Sequence, residues 1–222
     1  MKRLRLGNEI TVNKYAYRFD KSKGYFALKK VIDVTGSLFG ILLLSPLMII
    51  TAVAIKLESE GPVFFGQERV GQGGKIFKMY KFRSMVVDAE EVLKDLKDEN
   101  EMSGPMFKIK DDPRITKVGK FIRKTSIDEL PQLFNILKGH MSIVGPRPNV
   151  QREVIKFSDY QKLKLYAKPG LTCYWQVMGR SSIDFEEWME LDIQYIEERN
   201  TIVDIKLIFR TFGVLLGDEN AS

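Results

Sequence analysis

One uncharged run, VTGSLFGILLLSPLMIITAVAI from Val34 to Ile55, dominates the hydrophobic pattern of the chain. At helical rise its roughly 22 residues reach across a bilayer, so a membrane-crossing anchor is one reading. Pro46 lies near the middle, where it removes a backbone donor and crowds the Leu42 carbonyl, and the Ser45 hydroxyl is placed to satisfy a carbonyl so freed. Both flanks are basic, with Lys21, Lys23, Lys29 and Lys30 before the run and Lys56, Arg69, Lys75 and Lys78 after it. The positive-inside bias keeps both ends in the cytoplasm. A helix that enters the membrane, breaks at Ser45-Pro46 and returns satisfies both observations; a kinked span is the alternative.

Beyond this run the pattern changes to short elements. PVFFGQERVGQGGKIFKMYKFRSM predicts a β-hairpin joined through Gly71 to Gly74. Val86 to Asn100 predicts a charged amphipathic helix with a Glu90–Lys94 pair, and Gly104, Pro105 and Pro113 make Ser103 to Lys117 an ordered loop. Val118 to Lys124 predicts a short basic helix. Leu130, Leu133, Phe134 and Leu137 recur at helical spacing behind Asp128. Gln151 to Ala167 predicts a further helix stopped by Lys168-Pro169-Gly170, and LTCYWQVMGRSS a short strand or extended loop. Asp184 to Arg199 places Phe185, Trp188, Leu191 and Ile196 on one side of a helix. The closing TIVDIKLIFRTFGVLLG suits either a helix on a membrane surface or a core helix. The fold class is α+β, mainly helical with a small hairpin, a re-entrant membrane helix and amphipathic interfacial helices.

Candidate chemistry concentrates between Thr125 and Pro148. Ser126 and Glu129 have the spacing of a capping box, and Pro131 is tolerated only in the first turn of a helix, so Asp128 falls near an N-cap. Asp128 and Glu129 there are either ordinary first-turn acids or carboxylates beside an anion site. Pro146-Arg147-Pro148 aims one guanidinium from a stiff backbone, as a phosphate contact requires, unless it is a plain turn. Lys81 and Arg83 sit among aromatics, Arg114 lies in the loop, Arg123 arrives just before the acids, and Arg180 follows Gly179.

Charge and composition narrow the partners. The net charge of +6 attracts phosphate-rich molecules, whether nucleic acid, anionic lipid or nucleotide. One cysteine, Cys173, excludes an internal disulfide, and one histidine, His140, excludes a histidine-pair metal site. The first 30 residues interleave lysine and arginine with tyrosine and phenylalanine, which suits a membrane-surface arm or a disordered basic tail.

From about Lys29 to Val214 the chain resembles the bacterial sugar transferase family, the monotopic phosphoglycosyl transferases that begin surface glycan assembly. The resemblance rests on the Ser45-Pro46 break, KMYKFRSM at Lys78 to Met85, DDPRITKVGKFIRKTSIDELPQ at Asp111 to Gln132, GPRP at Gly145 to Pro148, and KPGLTCYWQVMGR at Lys168 to Arg180. It implies transfer of a sugar-1-phosphate from a UDP-sugar to undecaprenyl phosphate, with Mg²⁺ required. Carried over by position, Asp128 is the nucleophile and Glu129 its partner, and both are candidate Mg²⁺ ligands. Arg147 and Arg180 are the implied phosphate or nucleotide contacts, with Lys81, Arg83, Arg114 and Arg123 in support. The implied organisation is an arm over 1–28, a re-entrant helix over 29–57 and a cytosolic catalytic domain over 58–222 with membrane-surface helices. The implied location is the bacterial cytoplasmic membrane, monotopic, with the catalytic domain on the cytoplasmic face and membrane lipid as a partner. A homo-oligomer is left open and no nucleic acid is expected.

Two other classes compete. A catalytically inactive membrane-tethered scaffold would keep the basic surface without using Asp128, and a basic nucleic-acid-binding protein would explain the charge but not the apolar run. The re-entrant reading makes a direct prediction: cysteines placed at Asn13 and Gln72 should resist sulfhydryl reagents applied outside intact cells. Reaction at either position rules re-entry out.

Overall fold

Ser22 starts the first helix, its hydroxyl accepting a hydrogen bond from Tyr25 N at 3.2 Å, and α1 follows over Lys23–Glu58. The computed structural model describes residues 19, 21–89, 112–179 and 183–217. Most of the basic arm, the expected helix past Ala89, most of the loop before Asp112, and Arg180 lie outside the described residues.

Helix α1 runs without interruption through Ser45 and Pro46, so the expected break into two helices is not observed. Ser45 Oγ donates to Leu42 O at 2.9 Å. That is the carbonyl whose helical N–H is missing at Pro46, which accounts for the chain staying helical there. Tyr25, Asp33, Ser37, Met48, Thr51 and Ile55 form the buried face of α1. Leu42, Leu43, Ile49, Ile50 and Leu57 are exposed apolar side chains on the same helix. Among the described residues α1 is the one helix long and apolar enough to cross a membrane.

Polar contacts tie both ends of α1 to one body. Near its start, Asp33 accepts from Ser142 Oγ and Ile143 N, each at 2.9 Å, and Lys29 Nζ donates to Val144 O at 2.9 Å while pairing with Asp204 at 2.9 Å. At its end, the Glu58 carboxylate accepts from Lys117 N at 2.7 Å and Val118 N at 3.0 Å. These are the unpaired first-turn amides of α2, Lys117–Lys124, where negative charge is favoured.

The expected hairpin forms: β1, Phe64–Val70, pairs antiparallel with β2, Ile76–Phe82, placing Phe64 opposite Phe82 and Val70 opposite Ile76. Gly73 and Gly74 turn it with φ of 63° and 73°, which favours glycine at both positions. After α2 comes a 3₁₀ turn, Ile127–Glu129, then α3, Gln132–Leu137. Asn135 on α3 is fully buried and acts as a strand would, accepting from Tyr80 N at 2.9 Å and donating to Lys78 O at 2.7 Å. It fastens α3 to the edge of β2.

A second sheet was not expected: β3, Ser142–Val144, pairs parallel with β4, Gly170–Thr172. The two backbones lie so close here that a Cβ on Gly170 would strike the backbone of Gly145, and one on Gly145 the carbonyl of Lys168. The expected extended stretch after Gly170 is instead β4 followed by α5, Tyr174–Met178, which ends at Gly179 with φ 149°. The helix expected over 151–167 is two pieces, α4 over Gln151–Val154 and a 3₁₀ segment over Gln161–Tyr166. Between them Ser158 Oγ accepts from Gln161 N at 3.2 Å and Gln161 Oε1 accepts from Ser158 N at 2.9 Å, a reciprocal cap that restarts the chain.

Helix α6, Phe185–Glu198, begins at Asp184, whose side chain caps Glu187 N, and it buries Phe185, Trp188, Leu191 and Ile196 as its spacing predicts. Helix α7, Thr201–Gly217, closes the fold. Its buried Leu207 joins Val144, Cys173, Tyr195 and Ile196 in one core, while exposed Ile202, Phe209 and Phe212 leave it amphipathic. The architecture is therefore mainly helical with two small sheets. Gly170→Ala should destabilise the protein by about 1–3 kcal/mol, because the backbones of Gly145 and Gly170 cannot both stay in place. A fall in the thermal midpoint of purified protein checks this, and an unchanged midpoint contradicts it.

Candidate active site

Ser126 sets the geometry of the acids. It takes φ 57°, ψ 14°, the left-handed conformation uncommon for serine, and turns the chain from α2 into the 3₁₀ turn that carries Asp128 and Glu129. The expected capping box is absent. Ser126 makes no side-chain cap, Pro131 is the N-cap of α3 rather than its third residue, and the Glu129 carboxylate points to cations. The apolar spacing behind Asp128 is also divided: Leu133 and Ile136 are buried, whereas Phe134 and Leu137 are exposed.

Two elements bring positive charge to this turn. Lys81, near the end of β2, donates from Nζ to Asp128 Oδ2 at 3.2 Å and to Glu129 Oε1 at 2.8 Å. Arg147, from the loop after β3, donates from Nη1 to the same Glu129 oxygen at 3.0 Å. Its guanidinium carbon also lies 5.6 Å from the centre of the Trp175 ring. Two anions and two cations thus share one largely buried site. Burial by itself would raise the Glu129 carboxyl, but the charges of Arg147 and Lys81, with a hydrogen bond from each, hold it far below the usual carboxylate range. Glu129 in turn raises the Arg147 guanidinium above its ordinary value.

The backbone around Arg147 is fixed at nearly every step. Lys29 bonds Val144 O, Gly145 N donates to Thr172 O at 2.8 Å, and Gly170 N donates to Pro146 O at 3.0 Å. Arg69 Nη1 donates to Pro148 O at 3.0 Å, and Val70 N donates to Asn149 O at 2.9 Å.

The donor set fits a hard divalent cation. Among the described residues, Asp128 Oδ1 and Glu129 Oε2 carry no protein hydrogen bond, so each carboxylate keeps an oxygen. Magnesium is commonly held by one or two carboxylates with substrate phosphate and water completing the shell.

The remaining candidates are elsewhere. Arg83 is buried and donates to Ser59 O at 2.8 Å, to Ser59 Oγ at 3.0 Å and to Glu60 O, holding the end of α1. Arg114 forms a two-point pair with Asp112, Nε to Oδ1 at 2.8 Å and Nη2 to Oδ2 at 2.5 Å. Arg123 is exposed in the last turn of α2, and no hydrogen bond from it to either acid occurs among the described residues. Arg180 lies outside those residues. Cys173 is fully buried, and burial pushes its thiol well above the ordinary value.

Comparison with known proteins gives the chain a family. The profile described as bacterial sugar transferase matches residues 24–218. The chain belongs to the bacterial sugar transferase family. The chain is 49% identical over 97% of its length to galactosyl transferase CpsE of Streptococcus agalactiae, covering 48% of that protein. It is 44% identical over 87% of its length to the undecaprenyl-phosphate galactose phosphotransferase of Salmonella typhimurium, covering 41% of it. The chain thus spans about half the length of these relatives. It spans 83% of the shorter exopolysaccharide production protein ExoY of Rhizobium meliloti, at 37% identity.

Sequence reasoning placed Arg69 only as a basic flank and gave Asn135 and Trp175 no role at the sugar transferase site. Arg69 is pushed down to about 10 by burial and by the charge of Arg147. Nothing in its local pattern distinguishes it from a solvated strand arginine. A polar residue at Asn135, within an otherwise apolar helical stretch, was the one readable signal.

The depressed Glu129 carboxyl gives the ion cluster a pH signature. Its stabilisation is complete above the ordinary carboxyl value of 4.5 and is lost as pH falls below that towards the folded value, because the unfolded chain takes the proton first. The thermal midpoints of wild type and Glu129→Gln should therefore differ most near neutral pH and converge below about pH 4.5. A constant gap across that window would assign the acid sensitivity to other groups.

Proposed function

We propose that this sugar transferase moves a sugar-1-phosphate from a UDP-sugar to undecaprenyl phosphate, in two steps through Asp128. The observation that carries the reading is the Asp128–Glu129 pair in contact with one ammonium and one guanidinium. An Asp128 oxygen attacks the β-phosphorus of the donor; the bond from that phosphorus to the bridging oxygen breaks, and UMP leaves. The sugar phosphate is then an acyl phosphate ester of Asp128. An oxygen of the polyprenol phosphate attacks the same phosphorus, Asp128 departs as carboxylate, and a polyprenol diphosphate sugar results.

Each protein group has a task in this sequence. Asp128, with Lys81 Nζ 3.2 Å from its Oδ2, supplies the attacking oxygen. Arg147 and Lys81 offset the charge of the incoming diphosphate, which otherwise repels a carboxylate. Glu129 keeps both cations at the site when no phosphate is present. Asp128 and Glu129 would hold Mg²⁺, which supplies further neutralisation of phosphate charge when bound.

The apolar surface supports a membrane seat on one side of the bilayer. Both ends of α1 are fixed to the same body through Lys29, Asp33 and Glu58, so the helix cannot leave its ends on opposite faces while that body stays in water. Exposed Leu42, Phe121, Phe209 and Phe212 lie on α1, α2 and α7, and α2 and α7 each pack against α1. Seating the exposed apolar side chains of the unbroken α1 in one leaflet, with the catalytic body on the cytoplasmic face, accounts for this arrangement.

The test is UMP release by protein in nanodiscs with Mg²⁺, undecaprenyl phosphate and a panel of UDP-sugars, beside Asp128→Asn. Release is expected with at least one donor, falling by roughly a thousandfold or more in the variant. Turnover that survives the substitution removes Asp128 as nucleophile. Silence of a folded, membrane-bound wild type across the panel removes the reaction.

A further inference from the structure

We propose that Trp175 is a positioning residue for Arg147, a pivot on which the guanidinium exchanges Glu129 for donor phosphate. The inference rests on the transferase reading above. Trp175 stacks on Trp188, with ring centres 4.7 Å apart and planes 24° from parallel, and the Arg147 guanidinium lies over the Trp175 ring at 5.6 Å. Trp188 is fully buried, and Lys164 Nζ sits 4.9 Å from its ring centre while pairing with Asp192 at 2.7 Å. The indole N–H of Trp175 is buried and finds no acceptor among the described residues. Stacking, not a hydrogen bond, therefore sets the plane of this ring.

The exchange follows from the two directions in which a guanidinium binds. Its N–H groups point outward from its edge, whereas an aromatic ring attracts the cation through the ring face. Arg147 spends one edge donor on Glu129 at 3.0 Å. When a diphosphate enters, that edge can turn to a phosphate oxygen while the cation stays over Trp175. Without the ring, Arg147 would have to be ordered afresh by the substrate, and donor affinity would fall.

Binding of UDP with Mg²⁺, followed by calorimetry, and the donor KM in the UMP-release assay test this together. Trp175→Leu should weaken UDP binding and raise KM about three- to tenfold, with Trp175→Phe recovering part of the loss. Trp175→Leu should add nothing to the loss of UDP binding already caused by Arg147→Ala, since the ring acts through that side chain. Additive losses, or a Trp175→Leu protein that binds UDP as wild type does, overturn the proposal.

A second measurement stands if the leucine variant does not fold. The chain has 2 tryptophans, so biosynthetic fluorotryptophan labels Trp175 and Trp188 alone. Fluorination keeps the ring shape and weakens its negative face, so UDP affinity should fall as fluorines are added to the wild type. The same labelling of Trp175→Phe marks only Trp188 and should leave that variant's affinity where it was. No response of the labelled wild type, or an equal response in both proteins, defeats the pivot. A wild type that neither binds UDP nor releases UMP defeats the transferase reading and this one with it, whereas a wild type that does both while ignoring changes at Trp175 defeats this one alone.

Discussion

Two carboxylates on adjacent residues repel one another, and withdrawing them from water makes each harder to ionise. Asp128 and Glu129 are nevertheless placed together at 9% and 17% side-chain exposure, because Lys81 reaches both and Arg147 reaches the second. The four charges sum to zero. Within a largely buried site that balance matters to stability, since removing one partner leaves a charge less well compensated.

The rest of the structure can be understood as delivery of those two cations. Lys81 must arrive on β2, and Asn135 clamps β2 to the helix that follows the acids. Arg147 must arrive on a backbone that does not yield, and the segment from Val144 to Asn149 is held by Lys29, Thr172, Gly170, Arg69 and Val70 in turn. The contact between Gly145 and Gly170 brings β3 and β4 together at this point. Proline on both sides of Arg147 adds stiffness where these bonds leave the chain free to turn.

Helix α1 links this site to the apolar surface. Its exposed side chains are those of a membrane segment, yet Asp33 and Lys29 on it bond the backbone of Ile143 and Val144, immediately before the Gly145-Pro146-Arg147-Pro148 loop. The long apolar helix is thereby in direct contact with the strand that leads into Arg147.

The sequence by itself determined what depends on local spacing and on motif. The apolar run, the hairpin, the helix over Phe185–Glu198 with its four buried apolar residues, and the closing helix are all legible because their periodicity reports one buried face. The resemblance, in turn, drew Asp128, Glu129, Lys81 and Arg147 into one site. Tertiary structure alone decided which arginines share it. Arg83, Arg114 and Arg147 are all candidates in sequence, but the first is spent on the end of α1, the second on Asp112, and of these three the last alone meets Glu129. The same is true of Pro46: a local rule ends the helix there, and one hydroxyl bond to Leu42 lets it continue. Long-range partners set the use of a charge, and they are separated from it by up to 115 residues in the contacts around this loop, a distance at which no pattern along the chain carries information.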